Sequence, residues 1–371
     1  HGPDFRCGSG AFCSIAPRQY EAAGHREPVR GKNWNGNVKA DQQTEAFDQL
    51  WWAARDAYIA LAWSVPLVIA GILLTGTLFY YLVVRPHTPK RGLKAWLGYL
   101  FPRENYTSNS AIVDAKIWLL NGLLFIPVFE ACVVLAGVLA GVSFVDLYSG
   151  AFGPPGSSVP HVWLAVLIQF LGFWLGQGIG QYSGHLAMHK VPFLWALHRA
   201  HHSAETANLF TFLRSHPLEH FANGTTRVIG TAAGLGLAVY LTGGRLLPET
   251  IAAIFWYNIA YVLIGFRSVD HLHIPVSYGR ILDVLIGSPI MHQVHHSAED
   301  RHRDVNMAGA GYLFDWMFGT LYVPAKGEVW RWGLNGAELG AANPHQSVKA
   351  FMAEPIRNMG RELRRAFNSA H

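Results

Sequence analysis

Five apolar runs divide the chain. Residues 57–84, 112–142 and 162–180 are each long enough to cross a hydrocarbon layer as a helix. A rise of about 1.5 Å per residue carries roughly 20 residues over a core of about 30 Å. Two shorter runs, 225–241 and 251–266, are barely long enough to cross and form a spanning or re-entrant hairpin. Polar positions inside the third run, Gln177 and Gln181, continue in steps of four to His185 and His189. That spacing predicts one long helix that leaves the membrane and carries two imidazoles on one face just beyond the lipid. Glycines at 172, 176, 178 and 180 permit close packing of this helix on a neighbour. The second run holds Asn121, Pro127 and Glu130, whose carboxyl is expected to bond a neighbouring helix or lie near an interface. Residues 347–367 are amphipathic, with Val348, Phe351, Met352, Ile356, Met359, Leu363 and Phe367 on one side and four arginines elsewhere. They form an interfacial helix or a helix packed on the protein's own cap, interrupted by Pro355. The first 48 residues have no sustained period and read as an irregular tail, followed by an interfacial pair, Trp51 and Trp52. The fold class is therefore all-α: an integral membrane bundle of about four or five helices under a cytosolic helical cap.

Composition supports this picture. Of 371 residues, 51% are hydrophobic and 14% charged, against about 25% charged in a soluble chain. The net charge is +5 without a Lys/Arg block among exposed aromatics, so no nucleic-acid partner is expected. Lys and Arg concentrate at 85–111, 183–224 and the C-terminal part, and are absent from 143–161. The positive-inside rule then puts the histidines on the cytoplasmic side. Cys132 sits in an apolar run and reads as a buried small hydrophobe, while Cys7 and Cys13 either pair in an oxidising compartment or stay free.

The chemistry lies in a repeated phrase. Residues 198–205 read His-Arg-Ala-His-His-Ser-Ala-Glu and residues 292–299 read His-Gln-Val-His-His-Ser-Ala-Glu. Each H-x-x-H-H copy places His198, His201 and His202, or His292, His295 and His296, so that three nitrogens aim at one point. With His185 and His189 upstream, eight imidazoles exceed a single tetrahedral zinc site and suit two metals, iron or zinc. Of 19 histidines, 13 fall between His185 and His302, which makes accidental clustering a poor account. A redox-active iron pair beside lipid suits O2-dependent attack on a C–H bond; zinc suits hydrolysis or a scaffold. Neighbouring acids, Glu205, Glu219, Asp270, Glu299, Asp300 and Asp304, are expected to accept hydrogen bonds from ligand imidazoles.

These phrases, together with Arg214-Ser-His-Pro-Leu-Glu219, Asp270-His-Leu-His-Ile-Pro275 and Phe314-Asp-Trp-Met-Phe-Gly-Thr320, resemble the fatty acid hydroxylase superfamily, which includes the sterol desaturases. The resemblance covers about residues 100–323. It implies a di-iron centre (two Fe, with Zn an alternative in purified material) that uses O2 and an external electron donor, either cytochrome b5-like or ferredoxin/reductase. The implied ligands are His185, His189, His198, His201, His202, His271, His292, His295 and His296. His216 is implied as a ligand or a neighbour of one. His273, His220, Glu219, Asp270 and Asn306 are further candidates beside the ligands, and His302 reads as solvated. Phe314 and Trp316 depart from the Trp and Arg common beside the Asp.

The domain reading is a polar tail over 1–50, a membrane di-metal oxygenase domain over 51–330, and an amphipathic tail over 331–371. The implied activity is hydroxylation of an apolar C–H bond of a lipid: sterol, fatty acyl, alkyl ether or carotenoid. Desaturation by the same centre is the near alternative, and a zinc-occupied protein or a non-catalytic subunit of a membrane complex the distant one. Trp118, Phe170, Phe173, Trp174, Phe255, Trp256 and Tyr257 either line an apolar tunnel or pack helices. An oligomer or larger membrane complex is compatible with all of these readings.

Overall fold

The structure is a computed structural model. It describes residues 66–371 except 157, 158, 160, 266–268, 310, 337–342, 370 and 371. The N-terminal tail, Trp51, Trp52, Cys7, Cys13 and the side chain of Glu130 lie outside what it describes. Every regular element among the described residues is helical, and one isolated bridge pairs Ser297 with Trp332.

The first helix, α1 (Pro66–His87), ends in a π-helical turn and a short 3-10 turn at Arg85–His87. Short helices α2 (Leu93–Leu100) and α3 (Arg103–Thr107) lead to α4 (Asn109–Leu120), whose first turn is capped by the Ser108 hydroxyl accepting from the Ala111 amide. The single span expected over 112–142 is instead two helices. A π-helical segment, Asn121–Phe125, separates α4 from α5 (Ile126–Phe152). Pro127 supplies no amide to the preceding turn, and the widened turn lets the buried Asn121 amide donate to the carbonyls of Leu213 and Ser215, both at 2.8 Å. Cys132 on α5 is exposed, not buried as expected. An apolar run does not distinguish a core-facing position from a lipid-facing one.

Helix α6 (Val162–Lys190) is the long helix that the four-residue spacing predicts. It is followed by α7 (Pro192–His202), α8 (Pro217–Leu241) and α9 (Pro248–Leu263). Each of these three begins with proline just inside the helix, where a missing amide costs nothing. Helices α1 and α6 are long and apolar enough to cross a membrane. On α6 the residues Leu164, Leu167, Leu171 and Leu175 form an exposed stripe at helical spacing, each between 42% and 51% exposed. A continuous outward apolar stripe of this kind fits lipid better than water.

Backbone contact between α6 and α8 sets the register of the histidines. A Cβ on Gly172 would lie 2.6 Å from the Gly234 carbonyl oxygen, and one on Gly180 would lie 2.5 Å from that of Thr226. Gly176 and Gly230 meet in the same way. The glycine spacing expected from the sequence is thus used at 172, 176 and 180, while Gly178 faces Phe314. The α8–α9 loop is pinned by the buried Gln169 amide, which donates to Thr242 Oγ1 and the Arg245 carbonyl and accepts from Leu247 N and Thr250 Oγ1. Gly230→Val would force the helices apart and is expected to destabilise the protein by about 1–3 kcal/mol. The check is the thermal midpoint in detergent; an unchanged midpoint would mean that the contact carries no packing energy.

The C-terminal third adds α10 (Arg280–Leu285), α11 (Pro289–His295), α12 (Leu313–Phe318) and α13 (Val348–Ser369). Helix α13 runs unbroken through Pro355, contrary to the expected interruption, and the Pro355 ring is buried. It lies against α7, where Phe351 joins Val113, Ile117 and Ala200 in one apolar cluster. Its apolar side therefore packs on the protein itself, while Ile356 and Phe367 remain exposed.

Candidate metal centre

The last two turns of α6 supply His185 and His189, α7 supplies His198, His201 and His202, the loop after α9 supplies His271, and α11 with its C-cap supplies His292, His295 and His296. All nine expected ligands converge, but not one phrase to one point. Site A gathers His185, His189, His198, His202 and His295; site B gathers His201, His271, His292 and His296. Within each site one nitrogen per residue lies within 4.8 Å of all the others. Each H-x-x-H-H phrase thus sends its i and i+4 imidazoles to one site and its i+3 imidazole to the other. The expectation of three nitrogens on one point is corrected by helix geometry. At about 100° per residue, i+4 lies some 40° to one side of i and i+3 some 60° to the other.

Hydrogen bonds on the outer nitrogens fix what the inner ones present. His185 Nδ1 donates to the Met307 carbonyl (2.7 Å), His295 Nδ1 to that of Val305 (2.7 Å) and His201 Nδ1 to that of Arg214 (2.7 Å). His198 Nδ1 faces Glu219 (2.9 Å), His189 Nδ1 faces Asp304 (3.2 Å) and His271 Nδ1 faces Asp270 (2.9 Å). A neutral imidazole that donates at Nδ1 has a lone pair at Nε2. Yet His198 Nε2 lies 2.9 Å from His185 Nε2 and 3.1 Å from both His189 Nε2 and His202 Nε2. One proton could satisfy one of these contacts, not three. His295 Nε2 is buried with no hydrogen-bond partner at all. In site B, Nε2 atoms of His292 and His271 approach to 3.1 Å and those of His296 and His292 to 3.0 Å. Lone pairs packed this closely repel unless a cation sits among them, so the donor set fits two metal ions.

Electrostatics point the same way. Burial, reinforced by the neighbouring imidazoles, holds His198, His202, His292, His295 and His296 well below the usual histidine range; at His201 the Arg214 carbonyl bond opposes the same trend. These side chains are therefore neutral, the form that binds metal.

Two tryptophans cover the sites. Trp195 packs on His189 and His202, at 5.1 and 5.5 Å between ring centres, and Trp332 stacks on His296 at 5.6 Å and 15°. A polar cleft of about 40 Å³ reaches the site A ligands His189, His202 and His295.

The other candidates separate cleanly. Glu219, Asp270 and Asp304 touch ligands as expected, whereas Glu205, Glu299 and Asp300 pair with Asn343, Arg331 and Asn335. His216 belongs to neither group of converging histidines. It caps α8, accepting from the Leu218 amide while Glu219 returns to the His216 amide, and its Nε2 donates to the Met352 carbonyl. His273 donates to the Tyr99 carbonyl, away from both sites, and His220 lies on the first turn of α8 outside them. The Asn306 side chain bonds backbone groups and none of the nine histidines. With φ at 55° it bonds the Met291 carbonyl and both backbone groups of Tyr322, which fixes the loop on which Val305 and Met307 lie. His302, expected in solvent, is buried between Ser297 Oγ (2.9 Å) and Glu328 (3.1 Å).

Two residues outside the expected site hold it in shape. Arg214 is wholly buried: it pairs with Asp114, and its guanidinium also donates to the Ala200 carbonyl and Ser203 Oγ and lies over the Phe351 ring. Asp315, also wholly buried, accepts from the amides of Met307 and Ala308. Both stand inside phrases already singled out in the sequence, but residue type alone does not give their roles.

Comparison with known proteins agrees with this chemistry. Residues 170–320 match the fatty acid hydroxylase family. The matched range contains all nine converging histidines and the 314–320 phrase. Alkylglycerol monooxygenase of Danio rerio is 29% identical over 168 residues, 45% of this chain and 33% of that protein. The Homo sapiens protein of the same name is 29% identical over 147 residues, 40% and 29% respectively. Very-long-chain aldehyde decarbonylase GL1-1 of Oryza sativa subsp. japonica is 32% identical over 146 residues, 38% and 21%. The chain thus spans about a third of the length of the alkylglycerol monooxygenases it matches. No solved structure matches it.

Proposed function

We propose that this protein is a membrane-bound di-iron monooxygenase that hydroxylates an apolar C–H bond of a lipid. The observation that carries the reading is the pair of lone-pair-lined imidazole sets, built into a segment that matches the fatty acid hydroxylase family. His185, His189, His198, His202 and His295 would hold one iron, and His201, His271, His292 and His296 the other. When bound, the irons supply O2 activation, which no side chain here can provide. Overall, C–H becomes C–OH, the second oxygen atom leaves as water, and an external donor supplies two electrons and two protons. The protein's own groups orient the ligands: Glu219, Asp270, Asp304 and three backbone carbonyls hold the Nδ1 side of their imidazoles outward. The tryptophans exclude bulk water from the outer faces of the imidazoles.

The substrate reading rests on α6. An open apolar groove of about 430 Å³ lies between α6 and α9, lined by Trp163, Leu167, Phe170, Trp256 and Tyr257 among others. Leu167 is five helical turns before His185 on the same face, roughly 27 Å away. A long apolar chain lying along that face suits the distance. Relatives named alkylglycerol monooxygenase favour an alkyl chain on glycerol within the lipid class. We count α1, α5, α6, α8 and α9 as membrane-embedded, with the histidines on the cytoplasmic side, on the strength of the basic loops.

The test combines two measurements on the full chain. Metal analysis of anaerobically iron-loaded protein should give about two irons. Lipid extracts of expressing cells under 18O2 should contain a product heavier by one labelled oxygen. A product lighter by two hydrogens means desaturation by the same centre. Zinc alone, with no O2-dependent lipid change, overturns the oxidase reading.

A further inference from the structure

The two sites are not held in the same way. In site B, outer nitrogens bond groups on separate elements: the Arg214 carbonyl before α8 and Asp270 beside its own ligand. In site A, three of five ligands lean on one short strap. His189 faces the Asp304 carboxylate, His295 donates to the Val305 carbonyl and His185 to the Met307 carbonyl. The strap has an unusual backbone: Asp304 and Asn306 both adopt positive φ, 56° and 55°, the only non-glycine residues among those described to do so. Asp and Asn enter that conformation more readily than other side-chain-bearing residues, and β-branched residues least.

The strap is held by more than these three histidines. Both carboxylate oxygens of Asp315 accept from strap amides, Oδ1 from Met307 (2.6 Å) and Oδ2 from Ala308 (2.8 Å), while Thr320 Oγ1 donates to Oδ1 (2.6 Å). The backbone closes the same loop, with the Asn306 amide donating to the Thr320 carbonyl. Asp315 is 0% exposed, and its carboxylate bonds go to Met307, Ala308 and Thr320, not to a histidine. The strap also borders the polar cleft: Asp304, His189 and His295 line it, and no site B ligand does.

We propose that Asp315 is a positioning residue that sets metal retention at site A alone, acting through the strap 304–308, and that site A is the exchangeable site of the pair. The proposal rests on the two-metal reading above. Asp315→Asn keeps the shape but turns an amide NH2 against a backbone N–H, so one of the two strap bonds is lost.

The experiment measures bound ions per chain, and release to a chelator, on detergent-purified full-length protein loaded anaerobically with Fe2+ alone. Wild type should hold two ions and release them in two phases. Asp315→Asn should speed the faster phase about 10-fold, the lower end of the range for losing a group bonded directly to a ligand, and leave the slower phase unchanged. After chelation it should retain one ion. Thr320→Val, which removes the hydroxyl that donates to Asp315 Oδ1, should speed the same phase, whereas Glu205→Gln, at a carboxylate bonded to Asn343 and Gln346 away from both sites, should behave as wild type. This pair decides the matter if Asp315→Asn fails to fold. Loss of both ions together, or retention of both at the wild-type rate, overturns the role of Asp315. Wild-type protein that never binds two ions overturns the two-metal reading instead.

Discussion

Arg214→Met is expected to destabilise the protein by about 3–5 kcal/mol, the cost typical of removing one partner from a buried ion pair. Asp114 and Arg214 are both wholly shielded from solvent. Asp114 would keep its bonds from Asn208 Nδ2 and Thr211 Oγ1, each at 2.9 Å, but lose its only charged partner among the described residues. Four elements would loosen at once, because the guanidinium joins α4, the end of α7, the 203–214 loop and the chain before α13. The measurement is the thermal midpoint of solubilised protein, with ligand geometry followed by metal content. The double variant Asp114→Leu/Arg214→Met should recover part of the loss, since it leaves no unpaired charge. A drop smaller than about 1 kcal/mol in the single variant would mean that the pair is not the clamp described.

His198→Ala is expected to abolish product formation and empty site A. Its Nε2 is the meeting point of that site, in contact with three other imidazoles. Loss of an outer support such as Glu219 costs about 10- to 100-fold in metal affinity, so loss of the ligand itself should exceed that range. Glu219→Gln should fall within it, because the amide oxygen can still accept from His198 Nδ1 but without charge. Site B contains no atom of His198, and one ion should persist there. Full product formation by His198→Ala would show that five-histidine binding is not needed for the chemistry.

Much of this site can be read from spacing. The i, i+4 steps through Gln177, Gln181, His185 and His189 mark a single helix because identical faces recur every turn. The two H-x-x-H-H phrases mark six of the nine converging histidines. Spacing could not show that His201 and His295 cross to the opposite sites, since that depends on how α7 and α11 face each other. The carbonyls of Val305 and Met307 were invisible, because every residue has one and only a positive φ at Asp304 and Asn306 aims them. His302 sits among Asp300, Arg301 and Arg303, which suggested solvent; its burial depends on Glu328, 26 residues away. Cys132 and the broken second span failed on one ambiguity: lipid and protein interior select the same residues. Asp315 and Arg214 lay in view within their phrases, but a buried carboxylate that serves backbone amides looks, in sequence, like any other aspartate.

Helix α13 has a consequence for how the protein is made. Phe351 and the carbonyl of His345 cover the guanidinium that secures the end of α7, yet both are translated after every histidine of the two sites. While the nascent chain is still on the ribosome, the ligands can be present without the brace that steadies three of them. Iron delivery in the cell would then have to wait for, or work alongside, the synthesis and docking of α13. Bulky fusions that prevent α13 from docking should consequently yield protein that reaches the membrane poorly metallated.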